Sequence, residues 1–439
     1  MTLTPSRPST LDWPGLDVVP TGPRAAVGSR IARRLFVAAI NRLPVTVHVG
    51  DGSKPLGQGG PEMTIHRPDE FFARIATHGL IGFGEAYLTR AWDAEDLGGF
   101  LSVLAADLPT LVPRPLQRLR AAYVARPPIH QRNSVSNTRA NIGHHYDLSN
   151  DLFETFLDET LSYSSALFDT AIVSRGDHHA AVAPDADAST GRALLSQAQG
   201  RKIERLLDET MVGPGSRVLE IGTGWGELAI RAARRGATVH SVTLSSEQQA
   251  LARERIADAA RGGDFEVDQV TVELCDYRQV TGQYDAICSV EMIEAVGHEY
   301  WPEYFATIDR LLAPGGRVGI QAITMPHDRM LATRRTYTWI NKYIFPGGFL
   351  PSTEAIEQVT RDHTTLRVTG RLSFGTHYAA TLQQWDETFM GEADRVRALG
   401  FDDTFIRMWH FYLDYSRAGF ASGYLDVQQV LLARPQESR

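Results

Sequence analysis

Cysteine, lysine and long apolar runs are all scarce in this chain of 439 residues. The only cysteines are Cys275 and Cys288, too few for a disulfide framework, and no Cys-x-x-Cys pair offers a zinc ribbon. A reduced, cytoplasmic interior is therefore expected. Lysine occurs only at 54, 202 and 342, so arginine carries almost all of the positive charge. No apolar run reaches the roughly 18 residues a transmembrane helix needs. The N-terminus has no basic stretch followed by an apolar one, so no signal peptide is expected. His178 and His179 are adjacent and cannot share a helix face as metal ligands, so they read as surface residues and no metal site is expected. The formal net charge of −8 argues against nucleic acid as a partner.

What is present suggests two domains, because the chain is long for one. Residues 1 to about 25 are rich in Pro, Ser, Thr and Gly and read as a tail. Residues 28–43 have helical periodicity, with Ile31, Leu35, Ala38 and Ala39 on one face. Short strands are expected at 45–49 and 63–65, then two or three helices over 68–104. This is a small mixed domain, and the division is drawn as 1–125 and 126–439. Residues 114–139 carry Arg114, Arg118, Arg120, Arg126, Arg132 and Arg139 without a single acid. They read either as a solvated basic linker or as a surface for anionic headgroups. Residues 174–190 read as a polar loop. From Leu194 onward, apolar runs at 217–221, 238–242, 270–273, 286–290 and 317–322 alternate with helical stretches. That alternation predicts an α/β fold with a doubly wound, mainly parallel, Rossmann-like sheet.

The first of these strands runs into Gly222-x-Gly224-x-Gly226. A dinucleotide fingerprint would need glycine at 227, which is Glu227 here, so the turn suits a nucleoside without a pyrophosphate. Glu220, at the strand end, is placed for the ammonium of a methionine moiety. The next strand ends on Thr243, and Gln248 in the following helix can both donate to and accept from ribose hydroxyls. Asp276 and Tyr277 follow a third strand, where an aspartate can accept from an adenine amino group. Each residue alone could be a cap or a turn. Three segments in this order point to S-adenosylmethionine.

Further motifs bracket these segments. His145-Tyr146-Asp147-Leu148-Ser149-Asn150-Asp151-Leu152-Phe153, Tyr163-Ser164, the glycine turn, Thr243-Leu244-Ser245 with Gln248, and Trp339 through Gly348 resemble the cyclopropane fatty acid synthases and mycolic acid cyclopropane synthases. The likeness runs from about residue 140 to the C-terminus and more weakly through 68–104. It implies a seven-stranded class I methyltransferase sheet and a small N-terminal lipid-binding domain. It implies S-adenosylmethionine contacts at Tyr163, Ser164, Gly222, Gly224, Thr243, Leu244 and Gln248. It also implies a bicarbonate ion caged by a Cys, a Glu, a His, a Tyr and a backbone group. Glu294, Tyr378 and the backbone of Ile323 match that cage, but Ser165 stands at the Cys position and Gln321 at the His position. With two of four side chains different, bicarbonate and the product both stay open.

The implied acceptor is the double bond of an unsaturated phospholipid acyl chain, reached from the inner face of the membrane. Methyl transfer to an alkene leaves a carbocation, which aromatic faces and a carboxylate stabilise. Glu294, Tyr378, Tyr343 and Trp339 are the candidates, and Glu291 is the secondary carboxylate. Proton loss from the new methyl closes a cyclopropane. If a hydride shift first moves the cation to the carbon bearing the methyl, proton loss from the carbon neighbouring it, the methyl, gives an exocyclic methylene. The altered cage points to the methylene product, as in actinobacterial 10-methylene-stearate synthases, with cyclopropanation as the alternative. A methylene product would call for a flavin- or nicotinamide-dependent reductase as partner, and the family implies a homodimer. A small-molecule methyltransferase and a non-catalytic lipid-binding protein are the competing classes. The apolar, aromatic C-terminal region argues against the first. Intact Gly222, Gly224, Gln248 and Glu294 argue against the second.

Overall fold

The computed structural model describes residues 13–50, 52, 54–107, 149–185 and 191–435. The basic stretch 114–139 and His145 to Leu148 lie outside them. The chain forms two compact units. The first takes residues up to 127 but also 335–344 and 389–424, so the expected 126–439 region is not one contiguous domain.

In the first unit, helix Pro23–Ile40 begins on a proline, whose missing N–H is no loss at that position. Of the face expected to hold Ile31, Leu35, Ala38 and Ala39, Ala39 is buried and Ile31 is 54% exposed. Strands β1 (Thr46–Val49) and β2 (Glu62–Ile65) pair in parallel, and β3 (Trp92–Ala94) adds antiparallel to β2. β3 was not foreseen, because three residues give no periodicity to read. Helices Pro68–His78, Leu80–Leu88 and Leu97–Ala106 follow the expected pattern. Phe71, Trp92 and Phe100 are fully buried among them. Helix Asp403–Ala421 also belongs here and is capped by Asp402, whose side chain accepts from the Phe405 N–H.

The second unit is built on a nine-stranded sheet. Its strands are β4 (Ile172–Arg175), β5 (His178–Ala181), β6 (Arg217–Ile221), β7 (Thr238–Thr243), β8 (Val270–Leu274), β9 (Tyr284–Val290), β10 (Leu312–Thr324), β11 (Arg367–Ser373) and β12 (Asp426–Ala433). The order is β4-β5-β11-β12-β10-β9-β6-β7-β8. β6 to β10 are parallel to their neighbours, and β12 enters antiparallel between β10 and β11. β6 to β12 are the seven strands expected. The hairpin β4–β5 extends them at the edge, over residues that read as a loop. Within it, His178 accepts from Arg371.

Side chains alternate across this sheet, as the strand period of two requires. Leu219, Ile221 and Ile287 join one core with Trp301, Phe305 and Ile308. Val218, Ala286 and Cys288 join the other with Leu206, Leu207 and Ala229. From β6 the chain turns to one side through β7 and β8 and later to the other through β9 and β10. The switch point therefore lies between β6 and β9, and a doubly wound sheet opens its binding crevice at the carboxyl ends there.

Ile287 is 0% exposed on the central strand β9. Ile287→Ala is expected to cost about 2–5 kcal/mol, read as a lower urea midpoint for the second unit.

Candidate active site

β6 stops at Ile221, and the backbone turns through Gly222, Gly224 and Gly226 with φ of 96°, 53° and 91°. Residues with a Cβ rarely adopt such angles. At Gly222 a Cβ would also meet Met292 Cγ at 2.5 Å. One residue before the turn's approach, Glu220 is buried, and its carboxylate accepts from Ser241 Oγ at 2.5 Å. Burial pushes this carboxyl up to about 8. A cation seated beside it would draw it back to the charged form.

The turn opens into a cleft of about 1280 Å³, open mouth included. Tyr163, Ser164, Glu220, Gly222 and Gly224 line it on one side of the sequence, and Thr243, Leu244, Gln248, Asp276 and Tyr277 on the other. All ten cofactor residues expected from the sequence thus share one cleft. Thr243 Oγ1 donates to Gln248 Oε1 at 2.9 Å, which leaves the amide nitrogen as a donor to a ligand. Gln248 itself is held in the first turn of its helix by the Ser245 cap. The donor set fits S-adenosylmethionine: a buried acid for the ammonium, glycines for close approach, and an amide for ribose. Asp276 departs from the expectation in one respect. Its carboxylate accepts from the Arg278 backbone N–H and from two guanidinium nitrogens, so an adenine amino group would share oxygens already engaged.

The residues expected around a caged ion gather at the end of β9, but on a different acid. The Ser165 N–H donates to Glu291 Oε1 at 2.9 Å, Gln321 Nε2 donates to the same oxygen at 2.8 Å, and the Tyr378 hydroxyl donates to Oε2 at 2.7 Å. Glu291, read from the sequence as the secondary carboxylate, is the one these groups surround. Burial raises its carboxyl above the ordinary range, and Gln321, Ser165, Tyr378 and the charge of Lys202 pull it back. Glu294 lies beside it and accepts from the Ile323 N–H, with Oε2 buried and without a hydrogen-bond partner among the described residues. Burial, reinforced by the charge on Glu291, pushes Glu294 up to about 8, so it is mainly protonated at neutral pH. Bicarbonate does not fit among these groups as they stand, because the donors that would hold it already hold Glu291. Tyr343 and Trp339 belong to the first unit. There Tyr343 donates to Glu85 at 3.1 Å, Lys342 pairs with the same acid, and the Trp339 ring lies 5.2 Å from that of Tyr343.

Among the cleft residues not foreseen are Lys202 and Trp225. Lys202 is fully buried on helix Arg192–Glu209 and donates to Ser164 Oγ at 2.7 Å. Its signal was a lysine on the stripe Leu195, Gln199, Lys202 and Leu206, which is otherwise the helix's inner face. Trp225 also lines the cleft, and its ring nitrogen donates to Asn150 Oδ1 at 2.9 Å, tying the glycine turn to the Ser149-Asn150 motif.

The family profile of mycolic acid cyclopropane synthetase matches residues 133–430. Tuberculostearic acid methyltransferase UfaA1 of Mycobacterium tuberculosis is 51% identical over 98% of this chain and 97% of its own. Cyclopropane-fatty-acyl-phospholipid synthase of Escherichia coli is 34% identical over 87% of this chain and 90% of its own. Among solved structures, the cyclopropane synthase MmaA2 from M. tuberculosis superposes with a TM-score of 0.56 at 30% identity, over 67% of this chain and 98% of its own. Mycolic acid cyclopropane synthase CmaA1 complexed with SAH and CTAB gives 0.57 at 29% identity, over 67% and 97%.

Glu220 and Glu294 have folded-state values near 8 against an ordinary 4.5. Raised carboxyls contribute stability that is complete below the ordinary value and is lost as pH rises through the folded value. Thermal scans of the cofactor-free protein should show the midpoint falling by a few degrees from about pH 5 to pH 8, and less in Glu220→Gln. Calorimetry should show S-adenosylmethionine binding more tightly as pH approaches 8. Glu220→Gln should lose that slope and about ten- to hundredfold in affinity, the worth of a charged hydrogen bond.

Proposed function

Because the chain belongs to the mycolic acid cyclopropane synthetase family, whose profile covers most of it, we propose that it methylates the double bond of an oleate-type acyl chain in membrane phospholipid and leaves a 10-methylene branch. One observation carries this reading. The likeness to tuberculostearic acid methyltransferase extends over 98% of this chain and 97% of that one, across both units.

Bound S-adenosylmethionine supplies an electrophilic methyl group on a sulfonium. The protein has to hold the alkene at near-attack distance and keep water out. Glu220 holds the ammonium end, the glycine turn admits the ligand backbone to backbone, and Gln248 orients the ribose. No base need activate an alkene before transfer. Charge then develops on the acyl chain, and the protein must stabilise a cation and take one proton. Tyr378 and Glu291 face that task in the second unit, with Glu294 as a neutral neighbour.

Membrane association is part of the proposal. Among the described residues no helix is long and apolar enough to span a bilayer. Helix Pro23–Ile40 exposes Val27 and Ile31, one turn apart, with Arg24, Arg30 and Arg34 exposed around them. Apolar contacts flanked by arginine suit the surface of an anionic leaflet, where each basic residue adds about 1 kcal/mol. A flavin- or nicotinamide-dependent reductase would complete the branch to a 10-methyl group, and a homodimer is the proposed assembly.

The test is incubation of the purified protein with S-adenosylmethionine and oleoyl phospholipid vesicles. Methylene and cyclopropane chains have the same mass, so mild hydrogenation before mass spectrometry must separate them. A chain that takes up hydrogen supports the reading. A ring that resists it assigns the protein to cyclopropanation, and absence of any methylated lipid removes the acceptor. Ile31→Asp should reduce pelleting with anionic vesicles while leaving S-adenosylmethionine affinity unchanged.

A further inference from the structure

We propose that the Glu291 carboxylate occupies the place a caged bicarbonate would take and is itself the base that receives the proton lost from the branched chain. This rests on the methyl-transfer reading above and names the residue that completes it.

The first ground is geometric. A bicarbonate ion presents a flat CO₂ face and asks for donors around it. Three of the groups expected to supply them, at positions 165, 321 and 378, instead meet the flat CO₂ face of Glu291, at 2.9, 2.8 and 2.7 Å. Both oxygens are engaged. Serine contributes through its backbone N–H, since its hydroxyl donates to the Ala166 carbonyl at 3.1 Å. Glu291 also lines the cofactor cleft.

The second ground is backbone conformation. Glu291 has φ of +50°, one of four non-glycine residues with positive φ among those described. Such an angle is unfavourable for a residue with a Cβ, and strain of this kind collects at functional sites. The Glu291 N–H donates to the Gln321 carbonyl at 2.8 Å, which pins the strained residue at the end of β9. Glycine would sit there without strain, and its absence of a side chain would leave the donors around an open space.

The third ground is that the donors are fixed in direction. Arg205 Nη1 donates to Gln429 Oε1 at 2.6 Å, and arginine cannot accept. Gln429 Nε2 must therefore face the other way, and it donates to Gln321 Oε1 at 3.2 Å. That leaves the Gln321 amide nitrogen directed at Glu291. A buried relay two glutamines long thus keeps a donor on the carboxylate, and the cation Lys202 lies close enough to favour its charged form. Glu294, with one donor, stays protonated beside it.

The step balances without an added oxidant or reductant. The alkene π pair forms the new C–C bond to the methyl, and the C–S pair returns to sulfur. The cation left on the other alkene carbon takes a hydride, with its pair, from the carbon that bears the methyl. A methyl C–H pair then closes the exocyclic double bond, and the proton passes to a Glu291 oxygen.

The experiment uses the full chain as wild type, Glu291→Gly and Glu291→Gln, in buffer stripped of carbon dioxide, with calorimetric S-adenosylmethionine binding as the folding control. Wild type is expected to methylate oleoyl vesicles at the same rate with and without bicarbonate. Both variants should fall by about 100-fold or more, the worth of a general base. Added bicarbonate or formate should restore Glu291→Gly roughly tenfold or better and leave Glu291→Gln unchanged. Wild-type activity that vanishes without bicarbonate overturns the proposal, as does full activity in Glu291→Gln. If wild type methylates no lipid in either buffer, the acceptor reading has failed separately, and ¹³C-bicarbonate binding by NMR decides. Binding to Glu291→Gly but not to wild type upholds the proposal, and binding to wild type overturns it.

Discussion

A carboxylate drawn away from water is costly unless polar groups surround it, and the half-buried Glu291 is surrounded by three donors. Much of the second unit is arranged around satisfying it. The parallel pairing of β9 with β10 sets Glu291 against the backbone of Gln321. The antiparallel entry of β12 beside β10 brings Gln429 opposite Gln321, and helix Arg192–Glu209 supplies Arg205 and Lys202. Tyr378 arrives on helix Gly375–Gly391, after β11. A sheet built in another order would not deliver these donors to one acid.

The same strand order separates two tasks. At the end of β6, glycines and Glu220 form a receptacle for a cation-bearing nucleoside. At the end of β9, one strand away, two neighbouring acids have different surroundings. Burial raises both carboxyls; three donors and the charge of Lys202 oppose the rise at Glu291, while the charge of Glu291 adds to it at Glu294. Different surroundings are how a fold assigns roles to identical side chains.

Much of this was legible in the sequence. The seven strands β6 to β12 followed from apolar runs spaced by helical stretches or from the family resemblance; the glycines, Glu220, Thr243, Gln248 and Asp276 followed from strand ends, and Tyr163, Ser164 and Leu244 from the resemblance. The edge hairpin β4–β5 was hidden because His178 to Ala181 carries neither an apolar run nor a β-rich composition. The interruption of the second unit by 335–344 and 389–424 was hidden because helical periodicity says which face is buried and not what buries it. Glu291 was ranked below Glu294 because Glu294 matches the family position. The two are three residues apart, and a shared helix face would not have separated them. Instead Glu291 precedes the helix in a left-handed conformation that turns its carboxylate to the Ser165, Gln321 and Tyr378 donors.

The central claim is that methyl transfer creates a cation that rearranges before a proton leaves. Oleoyl phospholipid carrying deuterium on both alkene carbons tests it directly, with the product read by NMR. A hydride shift gathers both deuteriums on the single carbon next to the exocyclic methylene. Retention of one deuterium on each of the two original carbons, as ring closure requires, would contradict it.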